Sequence, residues 1–144
     1  MPSPYVSNYG INTVTVATLT VTAAAHAGHT IVVNRAAGCT ITLPDATGSG
    51  NRYLITTTAD QTGDLVVQVP DADNTMQGVA MTDMAGVIFT TADATDTITL
   101  NGTTQGGLKG ARIELIDVAA NVWNVLVVSG ASGTEATPFS AAVS

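Results

Sequence analysis

A chain of 144 residues is one domain's worth, long enough to bury a core without a disulfide or metal staple. Only 10% of its residues are charged, and four Lys and Arg against eleven Asp and Glu leave −7, which excludes a nucleic-acid partner because nothing replaces the counterions of a phosphate backbone. With 45% hydrophobic residues the chain is not disordered through charge, and no apolar run approaches the ~18 residues of a spanning helix, so no membrane partner is expected.

Met1-Pro2-Ser3-Pro4-Tyr5 has neither a positive n-region nor an apolar h-region, so it does not read as a signal peptide. Residues 1–12 hold two prolines, two tyrosines and no clear period, and are predicted to form an extended N-terminal arm. Tyr5, Val6, Tyr9 and Ile11 are sizeable apolar groups in a segment too short to make a core. Ordering the backbone costs of order 1–2 kcal/mol per residue, which a partner surface burying those groups would offset. These four are the candidate partner-binding residues.

Residues 13–130 carry a strand signal almost throughout and are predicted to form a single β domain. Alternation over 13–16 and 19–21 is out of phase across Ala17-Thr18, which predicts a bulge or a break. Ala23-Ala24-Ala25 could make one helical turn, but no helical stripe is sustained anywhere. Further β-branched runs fall at 30–34, 40–43, 53–58, 65–69, 87–91, 97–100, 111–116 and 122–128, with Pro44 and Pro70 ending two of them. Thr-Ile-Thr-Leu occurs at 40–43 and again at 97–100. It reads either as an internal repeat or as two edge-type strands with Thr outward and Ile and Leu inward. Residues 131–144 are small and polar apart from Pro138, Phe139 and Val143, and are predicted to be a flexible C-terminal tail that orders when something covers it.

The resulting expectation is an all-β fold, an antiparallel β-sandwich or jelly-roll-like barrel with an extended N-terminal arm. Exposed strand edges are usually guarded by Lys or inward charges, and one Lys and three Arg guard little. Partner subunits are expected to cover part of the sheet. Trp123, Val125 and Val127 share one face of a strand whose other face carries Leu126 and Val128. Such a strand is central in a sandwich or buried at an interface.

Reactive groups are sparse. Cys39 is the only cysteine, so no disulfide forms within the chain, and alternation with Ile41 and Leu43 predicts a buried thiol. His26 and His29 form His-x-x-His with no acid or thiol nearby to complete a metal site. Asp71-Ala72-Asp73-Asn74-Thr75 begins like a calcium loop, but Met76 and Thr82 stand where the sixth-position Gly and twelfth-position Glu are needed. An Asn/Asp-rich turn is expected there. Gly106-Gly107-Leu108-Lys109-Gly110 lacks phosphate-loop spacing and reads as a flexible hairpin connection. Arg112 and Glu114 lie two apart on one outward face, where each is expected to find a cross-strand partner. No nucleophile elbow or paired-carboxylate motif is present. The expectation is a non-enzyme with no catalytic residue, no cofactor and no metal.

Three segments carry a family likeness. Gly38-Cys39-Thr40-Ile41-Thr42-Leu43-Pro44-Asp45-Ala46-Thr47-Gly48-Ser49-Gly50-Asn51-Arg52-Tyr53 is similar to a phrase found in small head proteins of tailed phages. Asp73-Asn74-Thr75-Met76-Gln77-Gly78 resembles the turn that follows in them, and Trp123-Asn124-Val125 their closing strand. Over residues 30–128 the chain thus resembles the head decoration, or cement, proteins of tailed bacteriophages. The resemblance implies an all-β virion protein, a homotrimer on the capsid exterior. It would bridge capsomers by binding the major capsid protein. A host- or glycan-binding β module of a phage tail or fibre is the alternative reading.

Overall fold

The computed structural model describes residues 10–82 and 86–144. Strands β1 (Ile11–Val14), β2 (Thr18–Thr20), β3 (Thr30–Val33), β4 (Cys39–Thr42), β5 (Arg52–Thr57) and β6 (Leu65–Gln68) come first, with one helical turn, α1 (Ala23–His26), between β2 and β3. Then follow β7 (Thr75–Met81), β8 (Ile88–Thr90), β9 (Thr97–Leu100), β10 (Arg112–Ala119), β11 (Val122–Val128) and β12 (Phe139–Ser140). The larger sheet has the order β1-β3-β5-β10-β11-β7-β8, and the smaller β12-β9-β6-β4-β2.

The first six strands alternate between the sheets, odd-numbered in the larger and even-numbered in the smaller. Every ladder among these six is parallel. The chain therefore winds, with Ile11 opposite Thr30 and Thr30 opposite Leu54 on successive circuits. This explains the slip in periodicity at Ala17-Thr18. Val14 points inward from β1, the chain turns a corner, and Val21 points inward just after β2 in the opposite layer.

The all-β expectation holds, and its antiparallel part is corrected to mixed. Parallel pairing also joins β7 to β11, while the remaining five ladders are antiparallel. A parallel pair needs a long crossover instead of a tight turn. In the winding half, a strand in the other sheet serves as that crossover.

Alternate residues of both sheets meet in one buried cluster that includes Ile31, Ile41, Ile55, Leu65, Ile98, Leu115 and Trp123. Each such side chain contributes roughly 1.5–3 kcal/mol by leaving water. Trp123 meets Tyr53 edge-on, with ring centroids 5.7 Å apart and planes at 63°. The cysteine thiol of Cys39 is buried in this cluster, and burial pushes its pKa up. The two Thr-Ile-Thr-Leu stretches flank β6, one as β4 extended by Leu43 and one as β9. Ile and Leu do face inward in both, but neither strand is an edge, because β2 covers β4 and β12 covers β9.

Two strands lie outside the runs expected from sequence. β7 includes Gly78, where an added Cβ would sit 1.8 Å from the carbonyl oxygen of Val125. That glycine is a close backbone approach inside a strand, not a turn. Within 131–144, the segment expected to be a tail, Phe139 and Ser140 pair with Ile98 and Thr97. Buried Asp96 accepts hydrogen bonds from the amides of Ala142 (2.8 Å) and Val143 (3.3 Å), which ties the last residues to the smaller sheet.

Candidate interaction surface

The segments that carry the phage likeness come together in space. Carboxylate oxygens of buried Asp117 on β10 accept from the amides of Thr47 (2.9 Å) and Gly48 (2.6 Å) and from the hydroxyl of Ser49 (2.6 Å). Successive backbone N–H groups of this kind form an anion-binding concavity. Here the chain fills it with its own carboxylate. Burial raises the pKa of Asp117, and the bonds from Ser49, Thr47 and Gly48 outweigh that and hold it below the usual value.

Asn74 fastens the same loop from the other side. Its Oδ1 accepts from the Ala46 amide (2.9 Å), and its Nδ2 donates to Asp45 (3.0 Å) and Asp71 (2.9 Å). The Ala46 carbonyl in turn accepts from the amide of Asn121, which turns the β10–β11 corner with φ of 63°. Trp123 lies opposite Met76 in the β11–β7 ladder. The three segments thus meet in one framework, in which Asn74 of the second and the neighbouring Asp117 and Asn121 hold the loop of the first.

Other sequence candidates resolve locally. Nδ1 of His26 accepts from the Thr22 amide (3.0 Å), while Nδ1 of His29 meets Oδ1 of Asn12 at 2.8 Å. Asp71 accepts from the Asp73 amide (3.1 Å), an ordinary Asx turn. Among the described residues no group of three or more His, Cys, Asp or Glu could hold a metal ion. Loop 106–110 joins β9 to β10 across the two sheets, so it is no hairpin connection. Tyr5, Val6 and Tyr9 lie outside the described residues, and Ile11 is the exposed first residue of β1.

The pairing expected for Arg112 and Glu114 is corrected. The two bind each other along β10, with Nη2 to Oε1 at 3.2 Å, because their cross-strand neighbours are Thr56 and Val128 for one and Leu54 and Leu126 for the other. None of those four carries a charge.

What remains unspent is the outer face of the larger sheet. Ladder partners share a face, so the register lays its residues out in rows. One row runs Thr56, Arg112, Val128, Met81, Ile88, and the next Leu54, Glu114, Leu126, Val79, Thr90. Across β11, β7 and β8 these rows are apolar apart from Thr90, and their apolar members are exposed, from 38% at Val79 and Leu126 to 61% at Ile88; the next row on the same face is the exposed polar pair Asn124 and Gln77. Strands β7, β8 and β11 hold no charged residue. This answers the two-faced pattern of β11. Its Trp123 face is core, and its Leu126 and Val128 face is bare. Towards β3 the same sheet carries a shallow cleft of about 280 Å³ lined by His29, Thr30, Arg52, Leu54, Glu114 and Ile116.

No family model, no curated protein and no solved structure matches the chain.

Proposed function

We propose that this chain is a structural protein of a tailed-phage virion. It decorates the capsid exterior and bridges capsomers, with the major capsid protein and further copies of itself as partners. One observation carries the reading: the three segments that resemble phage head decoration proteins meet directly, Asn74 of the second bonding Ala46 and Asp45 of the first, and Trp123 of the third pairing with Met76 and packing edge-on against Tyr53. Phrases scattered by chance over some 90 residues of sequence have no reason to hydrogen-bond to one another. A sparsely charged surface with an aliphatic outer face suits adhesion by area, the mode of shell proteins. The two sheets facing each other across one core are read as the layers of a β-sandwich.

The test is binding to capsids that lack the protein, followed by sedimentation. Saturation at a fixed number of copies per capsid, with capsids that then survive heating better, supports the proposal. Absence of binding overturns it. The cleft with His29, Arg52 and Glu114 favours the second reading, a host- or glycan-binding module. Binding to host cells that Arg52→Ala abolishes would select that reading instead.

A further inference from the structure

We propose that the aliphatic outer face of β11, β7 and β8, bordered by Arg112 and Glu114, is the contact between two copies of this chain, related by a two-fold axis. The inference does not depend on the capsid reading.

Several exposed aliphatic side chains in register on adjacent strands make a contiguous patch of the kind that marks interaction sites. A partner must tolerate a flat area of five apolar side chains bordered by Asn124, Gln77 and Thr90. A second copy is the partner whose surface is known, and the rows fit it. Consider a two-fold axis lying in the interface, perpendicular to the strands and between the two rows. It places β10 over β10 and β11 over β11 with direction reversed, as in aligned face-to-face sheet packing. Arg112 then faces Glu114 of the partner subunit, and Val128 faces the partner's Leu126. Met81 likewise faces the partner's Val79.

The charges are therefore self-complementary. One cation and one anion stand two residues apart on β10, one in each row. The operation that superposes the aliphatic residues also brings unlike charges together, twice. Such a contact is isologous, with the same patch used by both copies. Electrostatics permits the contact, and the aliphatic side chains set this face apart from the equally uncharged, Thr-rich strands of the smaller sheet. Each copy carries −7, and eleven carboxylates are distributed over the chain, yet β7, β8 and β11 contain none. Two copies meet here without bringing acids together. The pairing departs from the threefold count that the phage resemblance implies, since a three-fold ring needs two different patches.

Light scattering and sedimentation of the full chain at micromolar concentration give the first test. The expected mass is twice 14.5 kDa. Leu126→Asp should give a folded monomer whose Tm, unlike that of the wild type, does not change with protein concentration, since the side chain is exposed in the single chain. The second test distinguishes this geometry from any other dimer. Arg112→Glu alone sets Glu against the partner's Glu114, and Glu114→Arg alone sets Arg against the partner's Arg112. Each variant should dimerise at least about tenfold more weakly, and mixing the two should restore a one-to-one dimer. Wild type that is monomeric or trimeric overturns the proposal. So does a dimer that Leu126→Asp leaves intact, or folded charge variants that fail to pair on mixing. A monomer that pairs only once residues 2–9 are deleted would overturn it too, and would assign the face to the chain's own first residues.

Discussion

The two halves of the molecule differ in how they are dressed. Strands β1 to β6 wind between the sheets, and their outward positions are most often threonine, at Thr13, Thr18, Thr20, Thr30, Thr40, Thr42 and Thr56, with Ile11, Val32, Leu54 and Val66 among them. Threonine packs like valine along a pleat and gives water a hydroxyl. Strands β7, β8 and β11 lie in the same larger sheet, yet turn Val79, Met81, Ile88, Leu126 and Val128 outward. Sheet and core are continuous across the boundary, so burial on the inner face does not explain the change. Threonine thus predominates on the outside of the winding half and larger apolar side chains on the other, the face proposed above as the contact with a second copy.

The comparison predicts a graded set of responses. Ile41 sits fully buried in the winding half, and Ile41→Ala should cost about 2–5 kcal/mol by denaturant melting. Gly78→Ala should cost about 3 kcal/mol, because β7 and β11 must part to admit a methyl group against the Val125 carbonyl. A cost below that of an ordinary surface change would show that the β7–β11 ladder relaxes freely.

Asp117→Asn should cost about 1–3 kcal/mol at neutral pH, since an amide group turns donors towards donors. The sign with pH follows from the lowered pKa of Asp117. Its contribution is complete above the ~3.9 of an unfolded Asp and is lost as pH falls through the lower folded value. Acid titration of stability should show this loss in wild type and a smaller one in Asp117→Asn. The smallest effect is expected on the outer face. Leu126→Thr with Val128→Thr, which dresses the second half like the first, should leave the melting free energy of the single chain, compared at a concentration below that of dimerisation, within about 0.5 kcal/mol while removing self-association.

Much of the fold was legible because β-branched runs and prolines punctuate the chain. Ile31, Ile41, Ile55 and Leu65 alternate cleanly, and each is buried. The direction of pairing was not legible. Nothing in a short strand records whether its neighbour is the next strand or the one after it. The phase slip at Ala17-Thr18 marked the corner without saying that the chain changes sheets there. β7 was hidden by Gly78, which sequence rules treat as a turn residue and which the structure requires for a close approach. The Arg112–Glu114 pair was misjudged because its cross-strand neighbours could not be known before the register was. The outer face was half legible. Apolar residues on both sides of β11 announced an interface or a central position, and the strand turned out to occupy a central position with one side uncovered.

The winding has a consequence for the order in which the molecule can assemble. Each circuit from β1 to β6 lays a new strand on the one before, so this half can grow from the start of the chain as it emerges. Its last strand in the larger sheet, β5, has a free edge until β10 arrives, and Thr56 waits for Arg112, 56 residues later. Contacts so distant in sequence form slowly, and an unpaired edge of this kind recruits other chains. The interval between finishing β5 and docking β10 is thus the moment of greatest danger for this protein. Synthesis that stalls between the two should yield aggregates, whereas a stall after β11 should not.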